Sequence, residues 1–380
     1  MSIPFNKPYF SGKETQYIET AVKSGKISGD GSFTRLCHSF FENKYGFSKC
    51  LLTTSCTDAL EMAAILINIK PGDEVIMPSF TFVSTANAFA LRGARIIFCE
   101  SRSDHPGIDE SKIEALITPL TKAIVPVHYA GVACNMDKIM EISNKYNLFV
   151  IEDAAQAIDS YYTSYDGTKK PLGSFGHLAA FSFHETKNII SGEGGMLVIN
   201  DLSFVERSEI IREKGTNRSK FFRGEVDKYG WVDIGSSFLP SDIIAAFLYA
   251  QLEKLQDIQD RRSLLWKRYD NNFKTNLENI FDLPLIPDYS TNNAHMYYIV
   301  FQNETSRSNA INKLRKENIL SVFHYQSLHK SLYYEQSNSC ERLLPQSDRY
   351  SECLLRLPFF YELEFYQIDK ICDILKNESF

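Results

Sequence analysis

Lys187 lies between two apolar runs of the sequence, where a charged side chain needs an explanation. It follows the run "FSF" (181–183) through a polar turn that contains His184, and a glycine-rich stretch separates it from the run 196–199. Burial lowers the pKa of a lysine amine and makes it nucleophilic. A solvated surface lysine is the alternative. His184 is either a proton shuttle or a hydrogen-bonded structural histidine.

Asp153 is a second residue of the sequence that could act together with Lys187. It stands at the end of the apolar run in "LFVIEDAAQ" (148–156), where a carboxylate must find a hydrogen-bond or charge partner. It either caps the next helix or faces a protonated ring nitrogen. Sites for pyridoxal 5'-phosphate (PLP) need a lysine for the Schiff base and an acidic group at the pyridine nitrogen. Lys187 with Asp153 upstream therefore indicates a PLP site.

A phosphate site is indicated by "TTSCTDAL" (53–60), a small polar turn that enters a helix. The N-terminus of a helix offers free N–H groups and a positive dipole end, which suit a phosphate. Ordinary capping by Ser55, Thr57 or Asp58 explains the same residues, and Ser182 adds a hydroxyl. Phe82, in "PSFTFVST", either covers a flat ring or belongs to the core.

The segment 212–228 is rich in basic residues, including Arg218, Lys220 and Arg223. Such a run is usually a solvated face, and its alternative use is to bind a diphosphate. The phosphate-binding pattern GxxxxGK[ST] does not occur in the chain, so a P-loop is excluded.

The elements that position these residues form an α/β pattern. Short, continuous apolar runs alternate with helical patterns of ten or so residues, which predicts a mostly parallel sheet covered on both faces. The first 35 residues are predicted to be loop-rich. After a long amphipathic stretch from Ser241 to about Phe273, the pattern changes to a smaller α+β unit. We predict a large α/β domain over 1–250 and a small C-terminal domain over 251–380.

Charge, apolar runs and cysteine spacing exclude several classes to which this protein could belong. The chain has 380 residues and a net charge of -6, so no overall basic field predicts nucleic-acid binding. We expect no signal peptide and no membrane span, because no apolar run approaches about 20 residues. Its eight cysteines are scattered without a CxxC pair, so we expect no metal site and a reducing, cytoplasmic location.

The order of several motifs resembles the DegT/DnrJ/EryC1/StrS family of sugar aminotransferases. The motifs are "TTSCTDAL", "GDEVIMPSFTFVSTANA", "VPVHYAG", "VIEDAAQA", "FSFHETKN" and "GEGG", and the resemblance runs from "GDGSFTR" to "RLPFFY". It implies the aspartate-aminotransferase fold, which is PLP fold type I. Within the family, "SFHETKN", "REKGTNRS", "DIGSS" and "NAHMYYI" are most similar to an enterobacterial subgroup that makes dTDP-4-amino-4,6-dideoxygalactose.

The resemblance implies a role for each matching residue. It makes Lys187 the Schiff-base lysine, with His184 beside it. The cofactor would be held by the residues Ser55, Cys56, Phe82, Asp153, Gln156, Ser182 and Ser237. In many members an asparagine occupies the position of Ser237 and reaches the cofactor phosphate of the partner subunit. The residues Arg218, Arg223, Tyr325 and His329 are predicted to bind substrate, and the usual proline of the family before "LH" is Ser327 here.

The resemblance also implies the substrates and the assembly. The expected reaction moves an amino group from L-glutamate to C4 of a nucleotide-linked 4-keto-6-deoxyhexose, for a surface polysaccharide such as O-antigen or enterobacterial common antigen. A homodimer with composite active sites is expected. Alternatives are a PLP-dependent sugar dehydratase, in which relatives have histidine for Lys187, the same transamination on a UDP-linked or differently configured sugar, and a PLP-fold sensor.

Overall fold

The computed structural model describes residues 2–274, 281–337 and 342–376, so Cys340 lies outside the described residues. The strands are β1 (Cys50–Thr53), β2 (Glu74–Pro78), β3 (Arg95–Cys99), β4 (Thr121–Ile124), β5 (Phe149–Asp153), β6 (Tyr161–Thr163), β7 (Lys169–Pro171), β8 (Leu178–Ser182), β9 (Gly195–Ile199), β10 (Phe281–Asp282), β11 (Tyr298–Phe301), β12 (Val322–Phe323) and β13 (Leu354–Arg356).

The α-helices are α1 (Glu14–Lys23), α2 (Ser32–Tyr45), α3 (Cys56–Leu66), α4 (Val83–Ala90), α5 (Glu110–Ile113), α6 (Met136–Tyr146), α7 (Val205–Arg212), α8 (Arg218–Phe222), α9 (Asp242–Leu252), α10 (Leu255–Lys274), α11 (Glu304–Lys316), α12 (Leu332–Ser337), α13 (Pro345–Cys353) and α14 (Phe365–Lys376). Short 3₁₀ turns lie at Glu114–Leu116, Tyr129–Gly131, Leu202–Phe204 and Leu328–Lys330. No helix in these ranges is long and apolar enough to span a membrane.

The central sheet has seven strands in the order β1-β9-β8-β5-β4-β2-β3. β9 is antiparallel to both of its neighbours, β1 and β8, and the remaining pairs are parallel. The predicted mostly parallel α/β sheet is therefore confirmed. The carboxyl ends of β5 and β8 lie side by side, which brings the residues after them to one edge of the sheet.

Both faces of this sheet are buried, which explains why its strands read as continuous apolar runs. Successive residues alternate between two cores: Ile76 packs into one cluster with α2, α6 and α9, whereas Val75 and Met77 pack into the other with α3 and α4. Neither face is left to carry polar residues, so polar side chains concentrate at the strand ends.

A second sheet, in the order β10-β11-β13-β12, is antiparallel. Side chains of α10, α11 and α14 cover it, and Ile3 near the N-terminus pairs with Ile319 and joins the same core. A smaller α+β unit thus follows the large sheet in the chain. The domain limits of 1–250 and 251–380 stay a prediction.

The prediction of a loop-rich N-terminus was wrong for residues 14–23, which form α1. Its first residue, Glu14, is buried and accepts hydrogen bonds from the N–H groups of Ser11 and Gly12 and from the Gln251 amide. Gln251 lies in α9, against which α1 packs. Tertiary contacts therefore stabilise a helix whose own sequence signal is weak.

Candidate active site

A cavity of about 430 Å³ lies at the carboxyl ends of β5 and β8. The predicted residues that line it are Ser55, Cys56, Phe82, Asp153, Gln156, Ser182, His184, Lys187 and Tyr325. Asp153 and Ser182 are the last residues of their strands, and Ser55 and Phe82 each precede a helix. The sheet topology thus gathers residues that are up to 270 positions apart in the chain.

Lys187 lies in the loop between β8 and β9, and its own N–H group donates to His184 O at 2.9 Å. Burial, with a smaller contribution from the positive charge of Arg356, lowers the pKa of its amino group to about 8, against the opposite effect of Cys56 and Asp153. Within the described ranges, its Nζ makes no hydrogen bond. The amine is therefore partly neutral near physiological pH and available as a nucleophile or base.

Asp153 is buried, and burial raises the pKa of its carboxyl group. Hydrogen bonds oppose that rise: Thr85 Oγ1 donates to Oδ2 at 2.7 Å, and the N–H of Ala155 donates to Oδ1 at 3.1 Å. Thr81 and Thr85 share a hydroxyl hydrogen bond of 2.9 Å behind it. A protonated ring nitrogen in the cavity would supply the cationic partner that this carboxylate needs.

The first turn of α3 forms an anion-binding cradle. Ser55 Oγ accepts the N–H of Asp58 at 3.0 Å, so it caps the helix, yet its own hydroxyl proton remains available to a ligand. The N–H groups of Cys56 and Thr57 point out of the helix, as the first donors of any helix do. Gly195 lies against this turn, and a Cβ on it would approach Ser55 C to 2.3 Å.

Two aromatic rings form another wall of the cavity. Phe82 is 53% exposed, so it is a wall residue and not part of the core, and its ring centroid lies 5.8 Å from that of Tyr325. Gln156 accepts the N–H of Ala130 at 2.6 Å and donates to the Tyr325 hydroxyl at 3.0 Å. Tyr325 has a φ of 52°, a strained conformation that is frequent at functional sites.

The residues present fit PLP. The cavity combines a desolvated lysine amine, a buried carboxylate that makes no ion pair with a described residue, helix N–H groups with hydroxyls beside them, and an exposed aromatic ring. These are the groups that an aldehyde, a pyridine nitrogen, a phosphate and a flat ring require. Their convergence at one edge of the sheet is the structural basis for a cofactor site.

His184 lies at the rim of this cavity. Its Nδ1 accepts the N–H of Thr186 at 3.3 Å, which leaves Nε2 to carry the proton, 3.7 Å from a Glu193 carboxylate oxygen. The ring is thus tied into its own turn, in agreement with a structural histidine. Its catalytic role stays a prediction.

The remaining predicted residues do not line this cavity. Arg218 and Arg223 line a second cavity of about 560 Å³ and are paired with glutamates, Arg218 with Glu213 at 3.6 Å and Arg223 with Glu209 at 2.8 Å. Ser237 is exposed beside that region. His329 is buried and bonds to Ser79 Oγ at 2.7 Å, and its role in substrate binding stays a prediction.

Sequence reasoning missed several residues that line the first cavity. His295, His324 and Arg356 come from the smaller α+β unit, where the strand-end rule for parallel sheets gives no guidance. Thr85 lies inside α4 and was hidden by its helical context. The signals that pointed to His295 and Arg356 were the motif "NAHMYYI" and an arginine inside the apolar run "LLRLPFF".

Comparison with known proteins identifies the class of protein. The model of the DegT/DnrJ/EryC1/StrS aminotransferase family matches residues 8–376, so the chain belongs to this family. It is therefore an enzyme of PLP fold type I, a PLP-dependent sugar aminotransferase, and the predicted family, fold and cofactor are confirmed.

Individual relatives agree with the family match over the whole chain. The spore coat polysaccharide biosynthesis protein SpsC of Bacillus subtilis is 31% identical, over 99% of this chain and 96% of its own. The Helicobacter pylori protein PseC, an aminotransferase involved in the biosynthesis of pseudoaminic acid, is 25% identical with a TM-score of 0.89 over 99% and 98% of the two chains. DesV of S. venezuelae is 27% identical with a TM-score of 0.88 over the same shares.

Proposed function

We propose that this enzyme transfers the amino group of L-glutamate to C4 of dTDP-4-keto-6-deoxyglucose and forms dTDP-4-amino-4,6-dideoxygalactose for a cell-surface polysaccharide. The observation that carries the transamination is the pairing in one cavity of Lys187, whose pKa is lowered to about 8, with the buried carboxylate of Asp153. The choice of sugar rests on the subgroup motifs, "SFHETKN", "REKGTNRS", "DIGSS" and "NAHMYYI".

In this proposal each residue of the first cavity has a separate role in cofactor binding or proton transfer. Bound PLP supplies an electron sink for the pair left behind when a proton leaves the reacting carbon. Lys187 Nζ would hold the cofactor until the amino donor displaces it, and the freed amine would then take up and return that proton, which its lowered pKa permits near neutral pH. Asp153 would keep the ring nitrogen protonated, the first turn of α3 with Ser182 would bind the phosphate, and Phe82 would cover the ring, because all of these residues line the same cavity.

The second cavity supports an anionic sugar nucleotide as substrate. Its lining includes Lys26, Arg35, Lys49 and Lys214, which make no ion pair within the described ranges, although the chain as a whole carries a net charge of -6. Because Arg218 and Arg223 are already paired with glutamates, these other cations are better candidates for a diphosphate than the two arginines. A local cationic site is what an acidic protein needs to attract such a ligand.

The substrate is tested with purified enzyme, L-glutamate and a panel of dTDP- and UDP-linked 4-keto-6-deoxyhexoses. We expect the highest kcat/KM with dTDP-4-keto-6-deoxyglucose, and an axial amine at C4 when the product is analysed by NMR. Turnover of UDP-linked sugars alone, or an equatorial amine, would reassign the substrate or the stereochemistry. A deoxygenated product without an amine would favour the dehydratase alternative.

We also propose a homodimer in which each subunit completes the active site of the other. Large apolar side chains in the segment 221–234 support it, because Trp231 is 83% exposed, Phe222 69% and Val232 55%. Clustered exposed apolar residues favour a protein interface. Ser237, exposed in the same region, would then be free to reach the phosphate of the partner's cofactor.

Trp231→Asp should weaken this dimer. Placing a carboxylate where an interface anchor is buried costs about 2 kcal/mol or more, so we expect dissociation roughly 30-fold more favourable than in the wild type and activity that depends on enzyme concentration. Light scattering after size-exclusion chromatography measures the effect. Tyr366→Asp, at a position 64% exposed in α14, is the matched control. A wild type that is monomeric at working concentration would rule out the shared site.

A further inference from the structure

The side chain of Asn188, the residue after Lys187, joins the lysine loop to the smaller α+β unit. It is buried with three other polar residues, Gln259 of α10 and Asn293 and His295 of the segment before β11. Asn188 Nδ2 donates to Gln259 Oε1 at 2.8 Å and to the backbone oxygen of Asn293 at 2.9 Å. Asn188 Oδ1 lies 2.8 Å from His295 Nδ1. The loop that carries Lys187 is therefore anchored through its next residue.

Asn293 fixes the segment from which His295 projects. Its Nδ2 donates to the backbone oxygens of Gln156 and Ile158, both at 2.8 Å, and its Oδ1 accepts the N–H of His295 at 3.0 Å. The Asn293 carboxamide also packs against Gly131, where a Cβ would collide with Oδ1. The segment is thus held against the loop that follows β5, and His295 is placed relative to that loop.

The hydrogen bonds of Asn188 decide which nitrogen of His295 carries the proton. A backbone oxygen can only accept a hydrogen bond, so the contact with Asn293 O identifies the NH2 group of the Asn188 amide. The amide oxygen of Asn188 therefore faces His295. Because that oxygen can only accept, Nδ1 of His295 must be the donor.

A neutral His295 with its proton on Nδ1 keeps a lone pair on Nε2. Burial, and to a smaller extent the positive charges of Lys187, Arg262 and Arg356, hold the pKa of the ring well below its usual range, so the ring is neutral at physiological pH. Nε2 makes no hydrogen bond with any described residue, and His295 lines the first cavity together with Lys187. This nitrogen is thus available as an acceptor to a group in the cavity that carries N–H hydrogens.

We propose that His295 is a positioning residue whose Nε2 accepts a hydrogen bond from the amino group of Lys187 once the amino donor has displaced the lysine, an inference that rests on the role proposed for Lys187. The freed amine takes a proton from the reacting carbon, whose electron pair remains with the cofactor, and becomes an ammonium group. A neutral acceptor stabilises and orients that ammonium group. It does so without the stronger attraction of a carboxylate, which would oppose the return of the proton.

Two amide substitutions separate the roles of the two ring nitrogens. In His295→Asn, the amide nitrogen can replace Nδ1 as the donor to Asn188, but no acceptor remains at the position of Nε2. In His295→Gln, the amide oxygen can replace Nε2, but Asn188 loses its donor. We expect the single-turnover rate with glutamate to fall by about 10-fold or more in His295→Asn, because a hydrogen bond to a charged group is lost, and by less than about 3-fold in His295→Gln. If His295 served only to satisfy Asn188, the order of the two variants would be reversed.

The capture of PLP by the cofactor-free protein supplies a readout that needs no turnover. Its rate follows the fraction of neutral Lys187 amine, so absorbance measurements across pH give the midpoint for the titration of this amine. An acceptor at Nε2 stabilises the ammonium form, so the midpoint in His295→Asn should lie about one pH unit below that of the wild type and of His295→Gln. His177→Asn is the matched control and should change neither the rate nor the midpoint, because His177 Nδ1 accepts the N–H of Val150 outside this cavity.

The tautomer of His295 is measured directly by NMR of protein with 15N-labelled histidine side chains. The signal that disappears in either variant should belong to a neutral ring with its proton on Nδ1. A proton on Nε2, or a charged ring at neutral pH, would overturn the inference. Circular dichroism and thermal melting check that each variant is folded.

The remaining outcomes are distinct. Equal losses of rate in the two variants, a larger loss in His295→Gln, or an unchanged midpoint for Lys187 in folded His295→Asn would each contradict the inference. If the wild type reacts with glutamate but with none of the keto sugars, the proposed sugar substrate fails, while the order of the two variants with glutamate still decides the role of His295.

Discussion

Lys187→Ala protein is expected to bind PLP and to turn over at least about 10²-fold more slowly than the wild type. General acid–base groups contribute about 10²–10⁴-fold to rates, and the cavity offers Lys187 as the amine with a pKa lowered to about 8. Steady-state and single-turnover rates measure the loss. Lys112→Ala, at an exposed position in α5, should behave as the wild type.

Covalent labelling locates the attachment independently of the rate. After borohydride reduction of the wild type, peptide mass spectrometry should find the pyridoxyl group on Lys187. Its appearance on another lysine would show that the assignment is mistaken.

The lowered pKa of Lys187 also has a consequence for stability in the cofactor-free protein. The folded chain releases the proton of this amine near pH 8, whereas the unfolded chain holds it up to the ordinary lysine value of about 10.4. Between these values the unfolded state binds more protons, so the contribution of Lys187 to stability increases as pH rises. In denaturant titrations, the free energy of unfolding of the wild type relative to Lys187→Ala should therefore increase between about pH 8 and 10.

Asp153→Asn should keep the shape of the site and remove its charge. Breaking a buried charge pair costs about 3–5 kcal/mol, so we expect both half-reactions to slow by roughly 10²-fold or more, with PLP bound at lower affinity. The Thr85 hydroxyl, which donates to the carboxylate in the wild type, can rotate to accept from the new amide. Stopped-flow absorbance follows each half-reaction, and equilibrium dialysis follows PLP.

A matched variant separates the charge of Asp153 from its hydrogen bonds. Thr85→Val removes the 2.7 Å hydrogen bond and leaves the carboxylate in place, so its effect should be smaller than that of Asp153→Asn. If Asp153→Asn instead keeps near-wild-type rates and full PLP occupancy, the role of Asp153 is limited to accepting a hydrogen bond from the N–H of Ala155.

The parts of this enzyme that could be predicted from sequence are those governed by local pattern. Continuous apolar strands alternating with helices define a parallel sheet, and a parallel sheet places the residues after its strands at one edge. That rule led to Lys187, Asp153 and Ser182 together. It also left one ambiguity that the structure resolves, because Phe82 fits a core or a cavity wall by sequence and is half exposed in the fold.

The parts that could not be predicted depend on contacts between distant segments. Arg356 lies in an antiparallel strand of the smaller sheet, and its position in the first cavity, with an Nε that has no hydrogen bond among the described residues, appears only when the fold is assembled. Arg218 and Arg223 read as free charges along the chain, whereas Glu213 and Glu209 pair with them in space. His329 matches a motif position, yet a bond to Ser79 holds it away from the cavity.

Gly195 shows how the sheet restricts the evolution of this enzyme. Along β9, Met196 and Leu197 face the two cores and can drift among apolar residues of similar volume. Gly195 cannot be replaced by any larger residue in this geometry, because even one methyl group would collide with the backbone of Ser55 at the start of α3. Any substitution that adds a Cβ at this position would have to shift the first turn of α3, and with it the N–H groups that form the anion-binding cradle.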